Sequence, residues 1–296
     1  MKNPTQTHNT INLTVEQVFE SCDDDSNASL DNIKAKPFLK WVGGKRSILP
    51  ELLKRLPKKY ARYHEPFLGG GALFFAVNPK EAILSDINFD LILTYIAVRD
   101  NLEQLAKLLK QHEKKHSSHY FSEARKRLAT ETDIVQIAAL FIYLNKTCFN
   151  GVYRVNKSGM FNVPMGNYKS ITLYDDEVMK LDSAALKNAV IEQKPFTQIE
   201  IQKNDFFYFD PPYHKTYDGY NGDGFTDEQH SKLAEMCHRI NSANAYFMLS
   251  NSDTPFIRKL YSDFNIESVS ATRSVSCKAS QRGKENELIV TNYRTK

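Results

Sequence analysis

The stretch Phe206 to Tyr213, F-F-Y-F-D-P-P-Y, constrains the fold more than any other part of this 296-residue chain. Four consecutive aromatic residues favour a buried strand. Pro211 and Pro212 then stop it, so Asp210 stands at the carboxyl edge of the strand, where open α/β sheets bind their ligands. The prolines fix φ and donate no backbone hydrogen bond, which leaves a stiff turn whose carbonyls can accept. The Asp210 carboxylate and the Pro211 carbonyl thus form a two-acceptor clamp for an amino group. Tyr213 offers a flat ring on which a base can stack. Taken alone, the same residues also describe an Asp-Pro-Pro turn that merely closes a strand.

Composition narrows the setting. The apolar share of 41% is enough for a sizeable core, in one large domain or two. The longest apolar stretch, near Ile134 to Leu144, is too short to span a bilayer. The first thirty residues are polar and read as no signal peptide, so a reduced, cytoplasmic protein without membrane contact is expected. Cys22, Cys148, Cys237 and Cys277 lie far apart with no C-x-x-C pair, which points to neither a zinc site nor a disulfide framework. A net charge of +4 permits a polyanionic partner without demanding one.

Along the chain, residues 1–33 read as a polar, solvated extension with one short helix from Thr14 to Ser21. Lys36 to Arg46, K-P-F-L-K-W-V-G-G-K-R, combines the single Trp41 with Gly43, Gly44 and Lys45, and a helix from Ser47 to Leu56 stops at Pro57. Tyr63 to Phe75 reads as a short strand ending at Glu65-Pro66-Phe67, then three glycines, Gly69 to Gly71, then an apolar helix. That order brings a nucleotide-like ligand against backbone amides, although the G-x-G-x-x-G spacing of dinucleotide binders is missing. The next strand, Ala82 to Ser85, ends in Asp86, which suits ribose hydroxyls or a helix cap before Leu91.

From Phe89 to Leu144 the pattern is helical, and the segment from Ile134 is apolar almost all round, hence buried. The basic run Lys107 to Arg127 suits a solvated face. Two predicted strands, Val152 to Val155 and Met160 to Val163, flank the turn Lys157-Ser158-Gly159 as a β-hairpin. It displays Arg154, Asn156, Lys157 and Asn162, with Tyr153 and Tyr168 nearby, a set able to read base edges in a major groove. After a helical piece around Asp175 to Lys187, the strand Ala189 to Glu192 leads to Lys194-Pro195-Phe196. His214 to Phe225 is a loop beside the clamp, and Thr226 with Gln229 forms a capping box for a helix to Ile240. A strand Ala245 to Leu249 precedes Ser250-Asn251-Ser252, a helix spans Pro255 to Tyr261, and strands Ile266 to Thr272 and Glu287 to Thr291 follow. Between these last two, serines and cations including Arg273, Lys278 and Arg282 suit phosphate oxygens or a mobile basic loop.

In this order, W-V-G-G-K, E-P-F-L-G-G-G, L-S-D, the F-N-G-V-Y-R-V-N-K-S-G-M-F-N-V-P-M-G-N-Y-K block, Y-F-D-P-P-Y and L-S-N-S resemble the Dam-type adenine-N6 DNA methyltransferases. The likeness runs from Lys36 to Tyr293 and is strongest to the members that protect G-A-T-C in DpnII-type restriction systems. It implies S-adenosylmethionine as methyl donor, duplex DNA as substrate, no metal, and a monomer acting in the cytoplasm of a bacterium, an archaeon or a phage host. A cognate restriction endonuclease is an implied partner. The implied fold is α/β, a Rossmann-like methyltransferase sheet in 34–88 and 189–296. A helical DNA-recognition domain, 89–188, is inserted in it and carries the hairpin 150–168. By the same likeness Asp210, Pro211, Pro212 and Tyr213 hold the target adenine. Trp41, Gly44, Lys45, Glu65, Phe67, Gly69, Gly71, Asp86, Phe196 and Asp210 surround the cofactor. Lys40, Val152, Arg154, Asn156, Pro164, Tyr168 and Asn251 face DNA, with Arg273, Lys278 and Arg282 on phosphates. One departure stands out: Lys194-Pro195 replaces the Gly-Asp that relatives often set beside the cofactor's adenine. Two other readings stay open at this point, a methyltransferase for another nucleic-acid or protein amine or amide, and a DNA-binding relative without catalysis. Glutamine-modifying relatives usually begin the clamp with Asn, and they need no basic hairpin.

Overall fold

The computed structural model describes residues 34–156, 158–168, 170–215, 225–272 and 284–295. The expected helix at Thr14 to Ser21, most of the His214 to Phe225 loop, Lys157, and the basic loop with Arg273, Lys278 and Arg282 lie outside the described residues. Residues 34–296 form one compact unit.

Its centre is a seven-stranded, mostly parallel sheet. The strands are β1 (Tyr63–Glu65), β2 (Ala82–Asp86), β3 (Ala189–Gln193), β4 (Phe206–Phe209), β5 (Tyr246–Ser252), β6 (Asn265–Thr272) and β7 (Lys284–Thr291), in the spatial order β3-β2-β1-β4-β5-β7-β6. The five strands β1 to β5 pair in parallel, whereas β7 inserts antiparallel between β5 and β6. This is the Rossmann-like methyltransferase arrangement. All four residues of β4 are buried, as a strand covered on both faces requires. Between β1 and β4 the chain order reverses, so the edges of these two strands open a crevice at their carboxyl ends.

The short helix α1 (Leu49–Lys54) follows a 3-10 turn at Lys45–Ser47, and α2 (Ala72–Val77) follows the glycine turn after β1. One parallel crossover, from β2 to β3, carries five helices: α3 (Phe89–Asp100), α4 (Leu102–Lys115), α5 (Ser118–Leu128), α6 (Ile134–Thr147) and α7 (Asp176–Leu186). Helix α6 is buried almost all round and is packed by α3, α4 and α5, which is why its apolar residues show no single stripe. The capping residue of α3 is Asn88, whose side chain accepts from the Leu91 amide, and not Asp86. The Thr226–Gln229 capping box opens α8 (Asp227–Ser242), and Thr254 caps α9 (Pro255–Leu260). Strand β5 runs through Ser250, Asn251 and Ser252, longer than its apolar stretch predicts, because its last residues pair with β7.

The predicted hairpin takes a different form. Its two arms run antiparallel, with hydrogen bonds from the Asn162 amide to Arg154 and from Asn156 to Met160, but they meet only in isolated bridges, Val155 with Phe161 and Cys148 with Met165. Asn150, Gly151 and Gly159 hold positive φ, and Pro164 has no N–H to donate, so a regular ladder cannot propagate.

At the amino end of β4, buried Asp205 receives Arg62 at 2.6 Å and the His64 ring at 3.0 Å. Burial pushes His64 down to about 4, so the ring is neutral and donates to Asp205 near neutral pH. This cluster locks the start of β4 to β1. Asp205→Ala should cost about 1–3 kcal/mol, because it leaves the buried His64 ring without its acceptor while the half-buried Arg62 can turn to water. Urea unfolding checks this, and a loss below about 1 kcal/mol would show that water takes over the role of Asp205.

Candidate active site

The carboxyl ends of the parallel strands bring Glu65, Asp86, Gln193, Asp210 and Ser252 to one edge of the sheet. Asp210 follows β4 directly, and the buried Pro211 and exposed Pro212 turn the chain away. Its Oδ1 is held from two sides, by Lys45 Nζ at 2.8 Å and by Ser250 Oγ at 3.1 Å. Ser250 also meets the Tyr208 hydroxyl at 3.1 Å, so β4 and β5 jointly fix the carboxylate. Both of these partners sit on Oδ1. Burial raises the Asp210 carboxyl above the usual aspartate range, and Lys45 opposes that rise.

Lys45 is buried and also donates to the Gly43 carbonyl, around a turn where Gly43 has φ +79°. The same ammonium lies 4.7 Å from the centre of the Tyr213 ring. The Tyr213 hydroxyl donates to Glu287 Oε2 at 2.6 Å. Burial, reinforced by Asp210 and Glu287, keeps this phenol well above its ordinary pKa, so it remains a donor.

On the other side of the crevice, β1 ends in buried Glu65, which accepts from the Tyr63 hydroxyl at 2.6 Å. Burial pushes Glu65 up to about 8. The turn that follows requires glycine. Gly69 and Gly71 have φ +46° and +65°, and a Cβ at Gly69 would lie 2.7 Å from the Trp41 ring. Asp86 ties this turn to the end of β2, accepting from Gly69 N at 3.1 Å and Asn88 N at 2.9 Å. Phe67 and Phe196 stack at 5.3 Å. Lys194, at the position that departs from the expected motif, pairs with Glu192 at 2.5 Å. Carboxylates for hydroxyl and amino groups, a glycine wall and stacked rings form a donor set that fits a nucleoside-bearing ligand. A cavity of about 80 Å³ on the His64, Pro66 and Ser85 face of the sheet is lined by none of Lys45, Asp210 and Tyr213.

The residues expected to face DNA divide into two groups. Lys40 and Tyr168 are together: Lys40 Nζ meets the Tyr168 hydroxyl at 3.2 Å and sits 4.3 Å from its ring centre. Asn145 clips this pair to the loop, accepting from the Lys40 amide and donating to the carbonyls of Lys40 and Gly151. Arg154, half-buried with Val152, donates to Asn162 Oδ1 at 2.7 Å, and Pro164 is exposed. Asn156 is exposed, but its side-chain oxygen caps its own turn through the Ser158 and Met160 amides. Asn251 departs from expectation, being fully buried and accepting from the amides of His214 and Ser252. It braces the chain just after D-P-P-Y instead of lying on the surface. Tyr153 stacks on Trp41 at 6.0 Å, linking the loop to the glycine turn.

Two residues at the site were not singled out from sequence. Ser250 lies inside L-S-N-S, and the alternation of β5 would have separated its direction from that of Asn251. Glu287 carries no local signal, since a Glu on a terminal strand reads as a solvated position.

Comparison with known proteins agrees with this geometry. Residues 41–275 match the family described as MethyltransfD12, D12 class N6 adenine-specific DNA methyltransferase. The chain is 40% identical over 276 residues to the type II methyltransferase M1.LlaDCHI of Lactococcus lactis subsp. cremoris, covering 89% of this chain and 97% of that protein. It is 38% identical over 290 residues to the type II methyltransferase M.MjaIII of Methanocaldococcus jannaschii, covering 88% and 100%. It is 33% identical over 270 residues to a DNA adenine methylase of Haemophilus influenzae, covering 87% and 93%. With a family match across most of its length and Asp210 at the switch point of its sheet, the chain belongs to the D12 class of adenine-specific DNA methyltransferases.

Proposed function

We propose that Asp210 Oδ2 and the Pro211 carbonyl grip the N6 amino group of an adenine turned out of duplex DNA, with Tyr213 stacked on the base. The carrying observation is the one-sided anchoring of Asp210: Lys45 and Ser250 hold Oδ1, and Oδ2 is left for the substrate. An exocyclic amine is a poor nucleophile because its lone pair is delocalised into the ring. Two acceptors on its N–H bonds draw the nitrogen towards a tetrahedral shape. Positive charge grows on that nitrogen during transfer, and a fixed carboxylate in a water-poor crevice stabilises it without reorganising. The surplus proton leaves afterwards, so no separate strong base is needed.

Membership of the class implies S-adenosylmethionine, which when bound supplies an electrophilic methyl on a sulfonium whose departure is neutral. The residues that would hold it are Trp41, Gly44, Lys45, Glu65, Phe67, Gly69, Gly71, Asp86 and Phe196, with Asp210 shared between cofactor and base. Asp86 suits the ribose hydroxyls and Phe196 the adenine. Lys194 is paired with Glu192, so packing against Phe196 takes the place of the missing Asp contact.

Extruding the base costs a few kcal/mol in stacking and pairing. The segment 89–188 is proposed as the recognition part that offsets this cost. Lys40, Val152, Arg154, Asn156, Pro164 and Tyr168 would contact DNA, and Arg273, Lys278 and Arg282 would contact phosphates. G-A-T-C is the proposed target. A protective role beside a restriction endonuclease is supported by relatives named type II methyltransferases, and an orphan role by relatives named DNA adenine methylases. The enzyme is proposed to act as a monomer in the cytoplasm.

Asp210→Ala should lower methyl transfer at least about a thousandfold while duplex binding persists. Tritiated-methyl transfer and gel retardation measure the two, and appreciable turnover in the variant would defeat the clamp. Arg154→Ala should lose about 1–3 kcal/mol of discrimination between cognate and altered sites if it reads a guanine. Equal losses on both would assign it to the backbone. Plasmid from expressing cells should resist a methyl-sensitive G-A-T-C nuclease and be cut by a methyl-dependent one. The reverse pattern removes G-A-T-C as the target.

A further inference from the structure

Glu287 belongs to no motif of the site, yet it accepts from the hydroxyl at the far end of Tyr213. It lies on β7 opposite Ser252 of β5, is 7% exposed, and precedes three fully apolar, buried residues, Leu288, Ile289 and Val290. A carboxyl group carried that far into an apolar strand loses hydration and needs a strong partner. The partner here is the Tyr213 hydroxyl at 2.6 Å, within the short range of hydrogen bonds to a charged acceptor.

We propose that Glu287 is a positioning residue that aims the Tyr213 ring at the extruded adenine, on the reading of D-P-P-Y as the base clamp. The geometry divides the task between two groups. A phenolic oxygen lies on the axis about which the ring spins, so gripping it sets the direction of the side chain but not the ring plane. The plane is set by Lys45, whose ammonium sits over the ring face at 4.7 Å while also holding Asp210 at 2.8 Å. Stacking surface and amine acceptor are thereby registered through one lysine. The tether from β7 prevents Tyr213 from folding into the crevice before DNA arrives. A ring already held in place spares its ordering on binding, and misplacement of a reacting group by about 1 Å is enough to cost two orders of magnitude in rate.

The test compares wild type with Glu287→Ala, Glu287→Gln, Tyr213→Phe and the double variant Glu287→Ala/Tyr213→Phe. Each is assayed for methyl transfer, S-adenosylmethionine and duplex affinity, and mobility of a 2-aminopurine placed at the target position. Glu287→Ala and Tyr213→Phe should each lower kcat by about 10- to 100-fold, as expected for loss of one charge-assisted hydrogen bond. Cofactor affinity should be unchanged, and the 2-aminopurine should show a faster anisotropy decay. The double variant should be no worse than either single one, because both remove the same bond. Glu287→Gln, whose amide oxygen still accepts, should recover most of the rate. Wild-type kcat in Tyr213→Phe overturns the proposal, as does additivity in the double variant. Should Glu287→Ala fail to fold, Tyr213→Phe and Glu287→Gln decide the matter without it. A wild-type protein that does not methylate adenine in duplex DNA would instead overturn the clamp reading itself.

Discussion

The ion pair between Lys45 and Asp210 is the contact on which the rest of the site depends. A carboxylate at the end of a strand covered on both faces is costly to keep charged, and burial does raise its affinity for a proton. Lys45 offsets that cost through its contact with Oδ1. The lysine is itself placed by the Gly43–Gly44 turn and by the 3-10 turn that starts at Lys45. The N-terminal segment of the described chain therefore reaches across to complete a site built on the middle of the sheet.

From that contact the geometry spreads in two directions. Towards the proposed cofactor side, Trp41 lies against Gly69 and Gly70, a Cβ at Gly69 would meet its ring at 2.7 Å, and Asp86 clasps the same turn to β2. Towards the DNA side, Trp41 stacks with Tyr153 and Phe141, joining the helical insertion to the glycine turn. Asn145, at the end of the buried helix α6, fixes Lys40 and Gly151 together. The proposed cofactor wall and the proposed recognition loop therefore share one packed seam and cannot shift independently without breaking aromatic contacts.

The opposite end of β4 carries a second buried acid. Asp205 is satisfied by Arg62 and a neutral His64, while Asp210 is satisfied by Lys45 and Ser250. One strand of four aromatic residues thus bears a fully paired acid at its base and a half-paired acid at its tip. The first acid stabilises the strand, and the second is the one proposed to hold the substrate amine.

Much of this was legible in the chain itself. The aromatic run and paired prolines determined that a buried strand would end at Asp210, the glycines after Glu65 that a turn would lead from strand to apolar helix, and Thr226 with Gln229 that a helix would start there. Such signals are local, carried by propensity, φ restriction and side-chain capping within a few residues. The ragged recognition loop was not legible, since Val and Met runs look like strands until Pro164 and the positive-φ residues are seen to block their ladder. Nor was the burial of Asn251, which the family likeness had set facing DNA. Only the tertiary structure decided which groups meet at Asp210 and Tyr213. Ser250 and Glu287 stand 40 and 74 residues from their partners in the chain, and they arrive there because β5 pairs with β4 on one side and with β7 on the other. Strand order is set by the packing of the whole sheet, and no neighbouring residue encodes it.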